Sequence, residues 1–112
     1  MHRLIVDGRD VTSVELATTA RTRSKGLLGR AGLEGALWLA PARQVHTFRM
    51  KFAIDVAYVA SDGRVLHAAT MAPGRLGRWV WRSRGVIEAE AGAFRDWDLK
   101  VGSTTQIDPA RA

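Results

Sequence analysis

Apolar and polar residues alternate with a period of two in several short segments, Val11 to Ala17, Arg78 to Arg82 and Val86 to Ala91 among them, the spacing that sends successive side chains to opposite faces of a β-strand. Arg3 to Val6 reads as a short strand, and Val11 to Ala17 returns with Val14 and Leu16 set against polar neighbours. Between them, Asp7-Gly8-Arg9-Asp10 is a tight-turn sequence in which Gly8 supplies the permissive dihedrals. Ala36 to Leu39 is a short apolar strand broken by Pro41, which has no N–H to donate. Val45 to Met50 is irregular or extended. Ile54 to Ala60 is the strongest strand signal, Ser61-Asp62-Gly63 turns the chain, and Arg64 to Met71 comes back. Arg78 to Arg82 also alternates, with Trp79 and Trp81 on one side and Arg78, Val80 and Arg82 on the other. The expectation is that the indoles are core and the arginines a wet outer face. Val86 to Ala91 and Lys100 to Ile107 complete a set of about eight short strands.

The period changes once. Thr18 or Thr19 offers an N-cap, and Ala20 to Arg30 reads as a helix, with Ala20, Leu27 and Leu28 near one face. Arg21, Arg23 and Lys25 then face outward, and Gly26 inside the helix costs about 1 kcal/mol relative to alanine. Ala93 to Leu99 is a turn or a single helical turn. The pattern predicts an α+β, β-rich fold: an antiparallel sheet curled toward a small barrel with one early helix.

Length and composition narrow this picture. With 112 residues there is room for one domain, residues 1–112, and a real core. The chain has no cysteine, which removes disulfides, thiolate nucleophiles, Fe–S clusters and cysteine-ligated zinc. No stretch is apolar enough for a secretory signal or a membrane span, so the expectation is a cytoplasmic protein. The net charge of +6 invites a nucleic-acid reading. Arginine, however, supplies 14 of the 17 basic residues, a bias that a GC-rich coding sequence gives without selection for phosphate binding. On that ground nucleic acid is not expected as a partner.

His46 is the most interesting titratable group, in a segment with Thr47, Arg49, Lys51 and Asp55 close by. A histidine beside a carboxylate can act as a general base with its tautomer fixed by that acid. Asp55 sits among Ile54, Val56, Ala57 and Tyr58, where a carboxylate needs a partner, and Arg49 or Arg30 can supply one. The plainer alternative is a structural network that holds the strand start. Glu88 and Glu90 stand on one face of their strand about 7 Å apart. They are either an acid/base couple or solvated groups paired with Arg78 and Arg82. His2, His46 and His67 fit no compact ligand spacing, so no metal is expected and no cofactor is indicated. Gly26, Gly29, Gly32 and Gly35 make no phosphate-cradling loop, and Ser83 lacks the nucleophile-elbow glycines.

Several of these segments, taken in order, are familiar. Val14-Glu-Leu-Ala, Arg23-Ser-Lys-Gly-Leu-Leu-Gly-Arg30, His46-Thr-Phe-Arg-Met50, Ile54-Asp55-Val-Ala-Tyr-Val and Asp62-Gly63-Arg-Val resemble the uncharacterised DUF192 family. Val86-Ile-Glu-Ala-Glu-Ala-Gly92 and Val101-Gly102 continue the pattern, which runs from about Val14 to Ile107. The resemblance implies a compact β-rich fold with one early helix. It implies no biochemical activity.

Three functional readings follow. The first is a non-catalytic domain that binds a small molecule or peptide in a pocket lined by Arg30, His46, Phe48, Met50, Asp55 and Glu88. The second is a hydrolase-like enzyme using His46 with Asp55 or Glu88. The third is binding of nucleic acid or another anionic polymer through Arg75 to Arg84. The oligomeric state is left open.

Overall fold

The computed structural model describes residues 2–109. Seven strands and two short helices follow one another as β1 (His2–Val6), β2 (Arg9–Ala17), α1 (Ala20–Lys25), β3 (Ala36–Leu39), β4 (Ile54–Val59), β5 (Val65–Met71), β6 (Gly85–Glu90), α2 (Ala93–Asp96) and β7 (Thr105–Asp108). One sheet holds all the strands in the order β5-β4-β6-β3-β2-β1-β7 and curls into a half-barrel. The α+β, β-rich reading describes this architecture.

The sheet is mixed, where alternation suggested an antiparallel one: β2 and β3 run parallel, with Val14 opposite Ala36 and Ala17 opposite Leu39. Parallel neighbours need a crossover, and α1 lies within it. The helix is shorter than expected. Thr19 caps it, its hydroxyl accepting from the Thr22 amide at 3.1 Å, and Gly26 ends it with φ of 45°. Gly26 is therefore the stop rather than an interior glycine, and α2, four residues long, is the single helical turn expected within Ala93 to Leu99.

The first hairpin forms as its turn sequence dictates. Asp7 and Gly8 both adopt positive φ, 49° and 82°, matching the two-residue turn that suits the strand twist. Further on, the outer strands β5 and β7 meet at one end. The Val65 amide donates to the Ser103 carbonyl at 2.9 Å, and the Thr105 amide to the Gly63 carbonyl at 2.7 Å. Gly63 has φ of 89°, and a Cβ there would collide with the Thr105 carbonyl. Closure thus hides part of two strand edges from other chains.

Both faces of the sheet centre are covered, so β4 is buried at all six positions. Inside the half-barrel, Leu4, Val6, Val14, Ala57, Val59, Ile87 and Phe94 pack together. On the outer face Leu27, Leu37, Leu39, Val45, Ile54, Val56 and Tyr58 form a second core beneath α1 and the loops that follow β3 and β5. Strands buried on both faces lose the simple inside/outside code of a two-layer sheet. That loss decides where the site lies.

The segment 78–82 is irregular, and Trp79 and Trp81 are 55% and 73% exposed, against the expectation that they are core. Alternation alone does not make a strand. The chain here follows the loop after β3 instead, with the Val80 amide donating to the Arg43 carbonyl at 2.8 Å.

Candidate functional site

Glu88 sits at the middle of β6, opposite Leu37 of β3 and Val56 of β4. Its face is the outer core, not water, and only 4% of the residue is exposed. Burial raises its carboxyl from an ordinary 4.5 to about 7, and among the described residues no hydrogen bond or neighbouring cation offsets that effect. A buried carboxyl without a partner is costly. Glu90, on the same face, is exposed and accepts from the Leu33 amide at 2.9 Å, pinning the loop before β3. Neither glutamate pairs with Arg78 or Arg82, and the two do not share one environment.

Glu88 forms part of the floor of a cleft of about 620 Å³ between α1 and the loops that follow β3 and β5. Leu27, Leu39 and Val45 line it with apolar surface, while Arg23, Lys25, Arg43 and Arg84 bring positive charge. Arg23 donates to the Pro41 carbonyl at 3.0 Å, yet its buried Nε has no partner. The cleft therefore combines an acid that burial drives toward its neutral form with four cations. Among the described residues Glu88 is its one acidic lining residue.

His46 and Met50 also line this cleft. His46 is exposed; its Nδ1 accepts from the Phe48 amide at 3.2 Å, and its ring stacks on Phe48 with centroids 4.9 Å apart. Among the described residues no carboxylate forms an ion pair with it. Phe48 is stacked outside the cleft lining.

Asp55 does not join His46. It lies on the other face of β4 and accepts three hydrogen bonds: from Thr70 Oγ1 at 2.6 Å, the Gly92 amide at 3.0 Å and the Phe94 amide at 3.1 Å. Two of these donors belong to the start of α2, which a carboxylate satisfies well. Strand alternation explains the separation, because Asp55 shares its face with Ala57 and Val59 of the inner core. Arg30 is elsewhere too. Its guanidinium grips the Glu15 carboxylate through two bonds, 3.0 and 2.9 Å long, which lower the Glu15 carboxyl below its usual range. The expected pairing of Asp55 with Arg30 or Arg49 is replaced by main-chain and hydroxyl donors.

Beside His46, Thr47 is fully buried and holds the loop after β5. Its hydroxyl donates to the Ala72 carbonyl at 2.6 Å and accepts from the Arg75 amide at 2.8 Å. Valine has the same shape without those bonds. Thr47→Val is expected to cost about 2 kcal/mol, because the part-buried Ala72 carbonyl and Arg75 amide both lose their bond to the buried hydroxyl. Urea denaturation checks this, and a change below about 0.5 kcal/mol would contradict the role.

Arg23, Lys25, Arg43 and Arg84 were not singled out from the sequence as cleft residues. Their signal was faint: each is an arginine or lysine in an acid-free stretch, and only the fold brings α1 against the loops. Ser83, also at the cleft, is spent structurally, its hydroxyl lying 2.8 Å from the Ala42 carbonyl and 3.0 Å from the Gly85 carbonyl.

The fold has solved counterparts. A protein of unknown function from Novosphingobium aromaticivorans DSM 12444 superposes with a TM-score of 0.79 at 22% identity, covering 93% of this chain and 83% of that one. A second, from Sinorhizobium meliloti 1021 and described as "a putative transcription regulator", gives 0.77 at 19% identity, covering 94% and 90%. At these identities the likeness is one of fold. No curated protein matches the chain. The family model described as "Uncharacterized ACR, COG1430" matches residues 3–107, nearly the whole half-barrel with its cleft, and the chain belongs to that family, DUF192.

Proposed function

We propose that the chain is a non-catalytic binding domain for a small organic anion held in the cleft over Glu88. One observation carries this reading: a buried carboxyl with no hydrogen-bond or ion-pair partner among the described residues, at the floor of an open cleft that four cations also line. A ligand with an apolar body and a carboxylate or phosphate group suits all three surfaces. Its body lies on Leu27, Leu39 and Val45, its charge meets Arg23, Arg43 or Arg84, and an acceptor atom takes the proton of neutral Glu88. His46 and Met50 stay in the site, and Arg30 and Asp55 leave it. The hydrolase reading requires an acid that orients His46: Asp55 is spent on Thr70 and the start of α2, and Glu88, although it lines the same cleft, makes no ion pair or hydrogen bond with His46, whose Nδ1 accepts from the Phe48 amide.

The test is a thermal-shift screen of small carboxylates and phosphate esters, run near pH 6 so that Glu88 is protonated. Ligand binding to the folded state raises apparent stability, by about 2.7 kcal/mol at a hundredfold excess over Kd. A hit is expected to lose its effect in Arg84→Ala and Glu88→Leu and to keep it in Arg30→Ala. Equal shifts in all the variants, or a panel that leaves the wild type unmoved, would reject the cleft.

A further inference from the structure

The charge of this chain is not spread evenly. Segments 41–52 and 72–85 together contain Arg43, Arg49, Lys51, Arg75, Arg78, Arg82 and Arg84 and no aspartate or glutamate. The rest of the chain carries ten basic residues against eleven acidic ones, so these two segments account for the whole positive excess. A coding bias toward arginine predicts no such segregation.

The fold joins the two segments into one ribbon. The Thr47 amide donates to the Arg75 carbonyl at 2.8 Å, Gly77 to Val45 at 2.8 Å, and Ala42 to Arg84 at 3.1 Å. His46 and Leu76 form an isolated antiparallel bridge midway. Among the described residues six large hydrophobic side chains are exposed, and four of them lie on this ribbon: Phe48, Leu76, Trp79 and Trp81. Among the described residues the ion pairs are Arg3–Asp10, Arg30–Glu15 and Lys100–Asp98, all away from it. The ribbon is therefore an unneutralised cationic strip studded with exposed rings.

We propose that this ribbon is a binding surface for single-stranded nucleic acid. Guanidinium groups take the phosphates, and unstacked bases lie on the indoles of Trp79 and Trp81. The two indole centroids are 6.5 Å apart and tilted by 41°, presenting neighbouring platforms along one short segment. Arg43 donates through Nε to the Trp81 carbonyl at 3.0 Å, and its guanidinium carbon sits 5.5 Å from the centroid of the Trp81 ring. That placement distinguishes the two anionic partners that such a surface can meet. Insertion of Trp81 into a bilayer would drag the fixed guanidinium toward hydrocarbon at a heavy cost. A base on the free face of Trp81 leaves the guanidinium in water beside a phosphate. A duplex suits less, since the ribbon offers loops rather than a helix or a long strand pair for a major groove.

The inference goes beyond the cleft reading. Both use Arg43 and Arg84, and Trp79 also borders the cleft, but the ribbon does not need Glu88. Fluorescence anisotropy with labelled oligo(U) and oligo(dT) of about 15 nucleotides tests it. At about 50 mM salt, binding is expected in the micromolar range and should weaken steeply as salt rises. Trp81→Ala should weaken binding about tenfold, Trp81→Phe should restore most of it, and tryptophan emission should be quenched in the wild type. Trp81 is exposed, so circular dichroism should show both variants folded. Glu88→Gln should bind oligonucleotide as tightly as wild type, so failure of the cleft and failure of the ribbon read out separately. Absence of binding, affinity indifferent to Trp81, preference for a duplex of the same length, or capture of phosphatidylglycerol vesicles but not oligonucleotides would each overturn the proposal.

Discussion

Asp55→Ala is expected to destabilise the domain by about 4 kcal/mol, a large fraction of the stability of a chain this size. The carboxylate accepts from Thr70, Gly92 and Phe94, and residue 55 is only 4% exposed. Hydrogen bonds to a charged acceptor contribute about 1.5–3 kcal/mol each, and truncation also leaves two amides at the start of α2 without a partner. For a domain near this length, such a loss lowers Tm by roughly 20 °C. Asp55→Asn keeps one carbonyl oxygen but brings an unwanted donor, so it should recover part of the loss. Urea melts are expected to show a lower midpoint with an unchanged slope. A penalty below about 1 kcal/mol for the alanine variant would show that Asp55 does not anchor α2 to the sheet.

Glu88→Gln acts in the opposite direction and depends on pH. The folded chain holds the Glu88 proton up to about pH 7, whereas the unfolded chain releases it near the ordinary 4.5. Between those values the folded state binds more protons, so stability falls as pH rises through the window. Below it the group carries no penalty; above it, the folded state bears a buried charge costing about 3 kcal/mol. Glutamine is neutral throughout. The variant should therefore match wild type near pH 4 and exceed it by up to about 3 kcal/mol near pH 8. Paired denaturation curves across that range check it, because the other titrating groups cancel in the difference. A gap that does not widen with pH would mean that the carboxyl is solvated or paired after all.

Much of the architecture was legible because local chemistry and tertiary packing agree. Asp7-Gly8 suits its turn, Thr19 caps a helix, and the Ile54 segment is β-branched and apolar. The site was less legible, and the reason is physical. Alternation assigns two faces to a strand but does not say which of them is dry, and here both are. Asp55 and Glu88 each looked like a carboxylate near His46, yet they lie on opposite sides of the sheet. One is saturated by donors from β5 and the start of α2; the other has none and reaches the cleft. The Trp79 segment failed differently. Its alternation imitates a strand, while the bonds that fix it come from the loop after β3. No window of neighbouring residues contains that information.

β1 lies between β2 and β7 in the sheet, pairing Arg3 with Asp108 on one side and Arg3 with Ser13 on the other. During synthesis, the β1–β2 hairpin can form as soon as its own residues emerge. Its second edge must wait until β7, far along the chain, has been made, and so must the seam between Gly63 and Thr105. Long-range pairings of this kind are slow to form. A nascent chain stalled before Thr105 would hold a nearly complete sheet with an unpaired β1 edge, and that species should be the one most prone to capture by chaperones or by its own copies.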